Sequence, residues 1–310
     1  MTRQLRIAAC QMASVLGDVP GNMARAERLV DDAAAKGATW IVLPEFFPTS
    51  MAFDKRMDDA AQPLDGPALA LLQGAARRHQ AHVGGSFIAM RDDGHAYNTY
   101  VIARPDGSYG THDKDQPTVW ENCYYRGGND DGVVDTADGK AGVAVCWEFI
   151  RWRTAKRLLG KVDLVVGGSC WPAYPRFPFS RALLGAAERR FLAMTADAFP
   201  RMARILGVPV AQAGHSGRMR STWPLLGLQY ASFFTGETQI VDAHGLVKQR
   251  MTAADGDGVV VDTVTLGERV PAQEPLGDSF WIPHLSFDTR LLWTVMNWHG
   301  ERYYSGDHLR

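Results

Sequence analysis

The chain has 310 residues, 46% of them hydrophobic and 22% charged, with a formal net charge of −1. That length and composition allow one large α/β domain or two ordinary ones around a sizeable core, and the near-zero charge argues against a nucleic-acid or anionic-membrane footprint. The four cysteines, Cys10, Cys123, Cys146 and Cys170, show neither C-x-x-C spacing nor disulfide density, and the first seven residues lack the apolar core of a secretory leader, so free thiols in a reducing cytoplasm are expected, with no membrane span.

Residues 5–12 (LRIAACQM) read as a buried first strand. Over 22–35, Met23, Ala26, Leu29, Val30 and Ala33 recur at helical spacing, and Gly37 stops the helix. A strand at 40–43 leads through Pro44 to Glu45, followed by a polar loop through Pro63 and a helix over 66–79. Residues 81–89 and 98–103 predict paired strands around the turn 91–94 (RDDG). The turn 105–107 feeds a strand ending Tyr109-Gly110-Thr111-His112-Asp113, which delivers Lys114. A Gly- and Asp-rich loop at 126–132 precedes strands at 133–136 and 141–145, and the second runs directly into Cys146.

Beyond the cysteine the pattern predicts a basic helix over 150–159, an apolar strand at 162–167 and the longest helix over 180–206, closed by Gly207. Strands at 208–213, 231–234, 238–242 and 258–264 follow. Strands and helices alternate, hairpins are interleaved, and no repeat or Pro/Ser-rich linker divides the chain. Residues 271–310 differ: Trp281, Trp293, Trp298, Tyr303 and Tyr304 sit in a stretch with little strand pattern, where Leu291, Leu292, Val295 and Met296 share one helix face. The chain is therefore read as a body over 1–270 and an extension over 271–310 that packs on the body or on a second subunit.

Three strand ends carry chemistry. In an open parallel sheet the residue just past a strand faces the ligand crevice, and here those residues are Glu45, Lys114 and Cys146. A free thiol titrates near ~8.5, so a useful nucleophile needs a base or a nearby positive charge. Glu45 is placed to take the proton and Lys114 to hold developing negative charge with the Trp147 backbone N–H. Glu121, on the loop Pro117-Thr118-Val119-Trp120-Glu121, supplies a second carboxylate that keeps the lysine charged. Trp120, Trp147, Trp171, Tyr124 and Tyr125 are candidates for a substrate wall, against ordinary aromatic packing. Cys10, Cys123 and Cys170 read as packing residues. Glu148 either positions Lys114 or Glu121 or serves at the surface or at a helix N-terminus, and Arg151 and Arg153 are expected on a helix at a subunit contact. The nine histidines form no H-E-x-x-H pattern, so no metal is expected, and no G-x-S-x-G elbow supports a serine triad.

Leu43-Pro44-Glu45-Phe46, His112-Asp113-Lys114 with Pro117 and Glu121, and Gly142-Val143-Ala144-Val145-Cys146-Trp147-Glu148 together resemble the nitrilase superfamily of carbon–nitrogen hydrolases. Ala8 to Gln11, Tyr97-Asn98, Val208-Pro209-Val210 with Gly214, and 236–245 (GETQIVDAHG) add to the resemblance, which covers roughly residues 5–265. It implies a four-layer αββα sandwich and a Glu-Lys-Cys triad at Glu45, Lys114 and Cys146, with Glu121 as second glutamate. It also implies no cofactor, and a homodimer or larger homo-oligomer pairing through the helix after the nucleophile. The expected substrate is a small amide or N-carbamoyl compound. A nitrile, acyl transfer to an amine, and a non-catalytic assembly subunit are the alternatives. Cys146-Trp147-Glu148 resembles the nitrile-cleaving branch, whereas Phe149 and Asp113 replace that branch's usual Asn and Arg.

Overall fold

β1 (Arg3–Gln11) is followed by α1 (Val19–Ala35), β2 (Trp40–Val42), the two-residue β3 (Gln62–Pro63), α2 (Pro67–His79), β4 (His82–Met90), β5 (Ala96–Ala103) and β6 (Tyr109–Asp113). Then come β7 (Val133–Thr136), β8 (Gly139–Val143), α3 (Trp152–Leu158), β9 (Leu164–Ser169), α4 (Arg181–Leu206) and β10 (Val210–Gly214). The chain continues through β11 (Arg218–Thr222), β12 (Gln229–Phe233), β13 (Gly236–Val241), β14 (Val247–Thr252), β15 (Gly258–Leu266) and α5 (Phe287–Asp307). This computed structural model describes residues 2–176, 181–223, 226–268, 270–271 and 273–307. The expected start of the long helix at Ser180 and the end of the extension at Arg310 lie outside the described residues.

One sheet has the order β15-β1-β2-β4-β5-β6, with β3 beside β4, and the other β14-β13-β10-β9-β8-β7. Each has a parallel centre, β1-β2-β4 in the first and β8-β9-β10 in the second. Alternation along β1 sends Ala8 and Cys10 to one face, where they pack with Leu29 and Val30 of α1 and Leu69 and Leu72 of α2. Ile7 and Ala9 point the other way, into a cluster with Val143 of β8, Val165 of β9 and Ala211 of β10. The same cluster reaches Ala155 and Leu158 of α3 and Phe199 and Met202 of α4 on the far side. The layers are helix, sheet, sheet, helix: the αββα sandwich. Central strands covered on both faces explain why their sequences read as unbroken apolar runs. No described helix is long and apolar enough to cross a membrane.

Three local differences from the sequence expectation have physical causes. The basic helix starts two residues late, at Trp152, because Cys146–Ile150 forms a separate 3₁₀ turn and Arg151 is extended, bridging to Trp281. β14 (VKQRMT) is mostly exposed and carries no apolar alternation, so nothing in its pattern marks it as a strand. β11 pairs only with β12, as a ribbon apart from both sheets, and was likewise illegible.

α5 packs along the short turn Val119–Cys123. Its buried and half-buried positions (Thr289, Leu292, Trp293, Met296, Asn297, His299, Gly300, Tyr303, Tyr304) follow the helical period. A Cβ at Gly300 would lie 2.4 Å from Asn122 Cβ, so glycine permits this approach. Asn297 Oδ1 accepts from Asn122 Nδ2 (2.8 Å) and from the Val119 N–H (3.1 Å).

Candidate active site

The loop after β2, the end of β6 and the turn after β8 converge at the ends of the two sheets. Glu45 is fully buried. Its Oε1 accepts from Lys114 Nζ (2.8 Å) and Asn98 Nδ2 (2.8 Å), and its Oε2 from the Cys170 backbone N–H (2.9 Å). Gly168 of β9 makes this possible: a Cβ there would come within 2.2 Å of Glu45 N. His215, pulled down to about 4 by burial, is a neutral imidazole whose Nε2–H donates to the Glu45 carbonyl at 2.6 Å.

Lys114 Nζ also donates to Glu121 Oε2 at 2.6 Å. That oxygen accepts in addition from the Thr118 N–H (2.9 Å) and the Tyr125 hydroxyl. Burial works against the ammonium, but Glu121 and Glu45 outweigh it, and the lysine is held well above its ordinary range. Burial pushes Glu45 up to about 7, with Lys114 pulling the other way and Glu121 adding to the rise.

Cys146 is buried with φ +55°, a left-handed backbone that a side chain adopts at a cost of about 1–2 kcal/mol. Sγ and carboxylate oxygens of Glu45 and Glu121 lie within 4.8 Å of one another. Burial, then the Glu45 charge, raise the thiol well above its ordinary value, while Lys114 lowers it. The resting pair is therefore a neutral thiol beside a carboxyl balanced near neutrality. Two carboxylates and a thiol at this spacing are also a possible cation donor set, but the Lys114 ammonium already sits between the carboxylates and supplies that charge.

A second buried network ties the strand ends together. Glu148 accepts from the N–H groups of Val145 (2.7 Å) and Asp115 (3.1 Å), one residue before the cysteine and one after the lysine. His112 donates from Nε2 to Glu148 Oε2 (3.0 Å) and from Nδ1 to Asp130 Oδ1 (2.5 Å). Burial alone would lower the imidazole, yet Glu148 and Asp130 raise it from 6.5 to about 9. Its folded value lies above the unfolded one, so its contribution is complete below about 6.5 and is lost as pH rises through about 9. Measured by denaturant titration, the stability gap between the parent protein and His112→Asn is expected to shrink across that interval. A gap independent of pH would show that His112 is not charged in the folded protein.

Above the sulfur opens a cavity of about 450 Å³. Trp120, Trp147 and Trp171 line it, with Met51, Phe191 and the α5 residues Leu291, Leu292, Val295 and Met296. The structure thus brings Glu45, Lys114, Glu121 and Cys146 together and places three of the five aromatic candidates on the wall, Tyr124 and Tyr125 being the two it does not. Tyr125 is not among the residues lining this cavity; it lies behind Glu121, with its hydroxyl spent on that carboxylate. Glu148 is not at the surface but forms the buried clamp at the N-terminal side of the 3₁₀ turn. Arg151 is buried too, paired with Asp115 and stacked 5.0 Å over Trp293, so it does not present a subunit contact. Phe149 packs edge-on against Phe199, and Asp113 accepts from Arg91 (2.5 Å), so neither departure from the nitrile-branch pattern faces the cavity. Sequence reasoning missed Asn98 and the Cys170 N–H as partners of Glu45, and it missed α5 as a wall. Asn98 lay in a quoted motif, but nothing in its spacing pointed to Glu45.

A family model for carbon–nitrogen hydrolases matches residues 6–269. The chain belongs to that family. The nitrilase-superfamily resemblance of the three motifs is borne out. Nitrilase 1 of Arabidopsis thaliana is 31% identical to this carbon–nitrogen hydrolase over 168 residues, 46% of this chain and 47% of that protein. N-carbamoylputrescine amidase of Arabidopsis thaliana is 32% identical over 157 residues, 47% of this chain and 52% of that protein. The chain spans about half the length of both relatives. A carbon–nitrogen hydrolase from Helicobacter pylori G27 has the same fold, with TM-score 0.72 at 18% identity over 84% of this chain and 89% of that one. The family match ends at residue 269, so α5 lies beyond it.

Proposed function

We propose that the protein hydrolyses a small non-peptide amide through an acyl-thioester on Cys146. The observation that carries this reading is the buried ammonium of Lys114, 2.8 Å from Glu45 and 2.6 Å from Glu121, beside the thiol. Glu45, balanced near neutrality, takes the Sγ proton as sulfur bonds to the carbonyl carbon, and the C=O electron pair moves to oxygen. Lys114 and the Trp147 N–H hold that oxyanion. As the pair returns, the C–N bond breaks and nitrogen leaves with the Glu45 proton as ammonia. Water then gives a proton to Glu45 and adds to the thioester. Collapse breaks the C–S bond, returns the proton to sulfur and releases the acid.

Glu121 lines the cavity, and its bonds to Lys114, Thr118 and Tyr125 all fall on Oε2, which leaves Oε1 for the N–H₂ of a primary amide. The second reading is a nitrile, favoured by Trp147-Glu148 after the cysteine and by the nitrilase named above. It needs a thioimidate and one further hydration before the same thioester. Incubation with primary amides and the matching nitriles, with ammonia assay and intact-mass detection, tests both. Ammonia from amides and an acyl adduct at Cys146 are expected. Ammonia from nitriles alone would select the second reading, and no ammonia or adduct from any compound would overturn both in favour of an assembly subunit.

A further inference from the structure

We infer that α5 selects the substrate: the preferred compound carries an uncharged apolar substituent, aryl or longer alkyl, on the reacting carbon. The inference deepens the hydrolase reading above and rests on it for the turnover arm of its test. The cavity over Cys146 holds about 450 Å³, far more than acetamide fills. Its polar side chains are few: Thr118, Glu121 and the thiols of Cys146 and Cys170, and Tyr174, whose hydroxyl is paired with Asp288 and Thr289 in the first turn of α5; the rest of the lining is aliphatic, aromatic or proline. Among the described residues no lysine, arginine or histidine lines it, and the ammonium of Lys114, its charge balanced by Glu45 and Glu121, keeps only its third N–H, for the reacting carbonyl. A carboxylate on the substrate would lose its water, find no cation and meet two acidic side chains, so such compounds are disfavoured.

α5 supplies one side of that wall through Leu291, Leu292, Val295 and Met296. It is anchored where the chemistry is set: Trp293 stacks on Trp147, the residue after the nucleophile, with centroids 5.3 Å apart and planes 14° off parallel. Trp281 closes the cluster edge-on at 4.9 Å from Trp293. A segment outside the family match thus sets how far an apolar group extends from the reacting carbon and holds the ring beside the oxyanion donor.

The test compares kcat/KM for acetamide, butyramide, hexanamide and phenylacetamide, with succinamate as the carboxylate-bearing match to butyramide, and calorimetric binding of the same compounds to Cys146→Ala. Expected are a rise of about fourfold per added methylene until the cavity fills and succinamate at least tenfold below butyramide. Leu292→Ala is expected to reduce the phenylacetamide-to-acetamide ratio about tenfold. Val295→Arg, at an exposed helix position on the cavity rim, is expected to raise succinamate relative to butyramide about two- to fivefold. Turnover or binding indifferent to size, or favouring succinamate, would overturn the inference while leaving the hydrolase standing. Size-graded binding to Cys146→Ala with no turnover of any compound by the parent protein would overturn the hydrolase reading and support the selecting wall.

Discussion

Replacing Cys146 by alanine is expected to lower kcat/KM by about 10⁴-fold or more while the protein stays folded. Removal of a nucleophile costs about this much even where binding and oxyanion donors survive. The side chain is small, and alanine takes the same φ of +55° at no greater strain than cysteine. Loss of one buried sulfur leaves a small hole beside a cavity that already exists, so Tm is expected to move by only a few degrees. Ammonia release measures the first effect and a thermal melt the second. Undiminished turnover in Cys146→Ala would remove the thiol from the reaction.

Lys114→Met is expected to abolish turnover and also to destabilise the fold, by about 3–5 kcal/mol, because it leaves two buried carboxylates without their common cation. Methionine keeps the length and flexibility of the side chain, so the loss is one of charge. The pH dependence separates this from a packing defect. Glu45 already titrates at about 7, above its unfolded value of 4.5, so its ionisation opposes folding as pH rises through that window. Without the ammonium its carboxyl shifts further up, and the gap between variant and parent is expected to be wider at pH 8 than at pH 5. Denaturant titration at the two pH values checks this; an equal gap would mean that the ammonium does not hold the carboxylates.

Two carboxylates, an amine and a thiol converging from separate segments explain why a single substitution here reaches both chemistry and stability. The same low-dielectric setting that strengthens the proposed oxyanion donors makes each unpaired charge costly. Glu148 extends this logic outward. By accepting from Val145 and Asp115 it couples the position of the sulfur to that of the lysine, and His112, itself held by Asp130, neutralises and orients it.

The strands around the site were legible in sequence because they are buried on both faces and read as apolar runs: the pattern at 141–145 ends at the cysteine, and that at 40–43 ends beside Glu45. The hairpin of β4 and β5 was legible from its turn, with Met90 paired to Ala96. β14 and β11 were not: β14 is a mostly exposed edge strand without apolar alternation, and β11, although alternately buried, places only one apolar residue, Met219, among its buried positions. The burial of Glu148 and Arg151 was not legible for a related reason: a charged residue marks a surface in sequence unless its counter-ions are known, and those nearest in space, His112 and Asp115, each lie 36 residues away in the chain.

What the sequence determined by itself is the set of nucleophilic and charged side chains at the strand ends and the layered fold, because local periodicity and the residue types at strand ends are properties of short segments. Only the tertiary structure decided which side chains share the sulfur's surroundings, that Tyr125 stands behind a carboxylate and not on the wall, and that the last helix closes the cavity. Those outcomes depend on contacts between distant segments, whose energies come from desolvation and from charge pairing in the interior and leave no periodic mark on the chain.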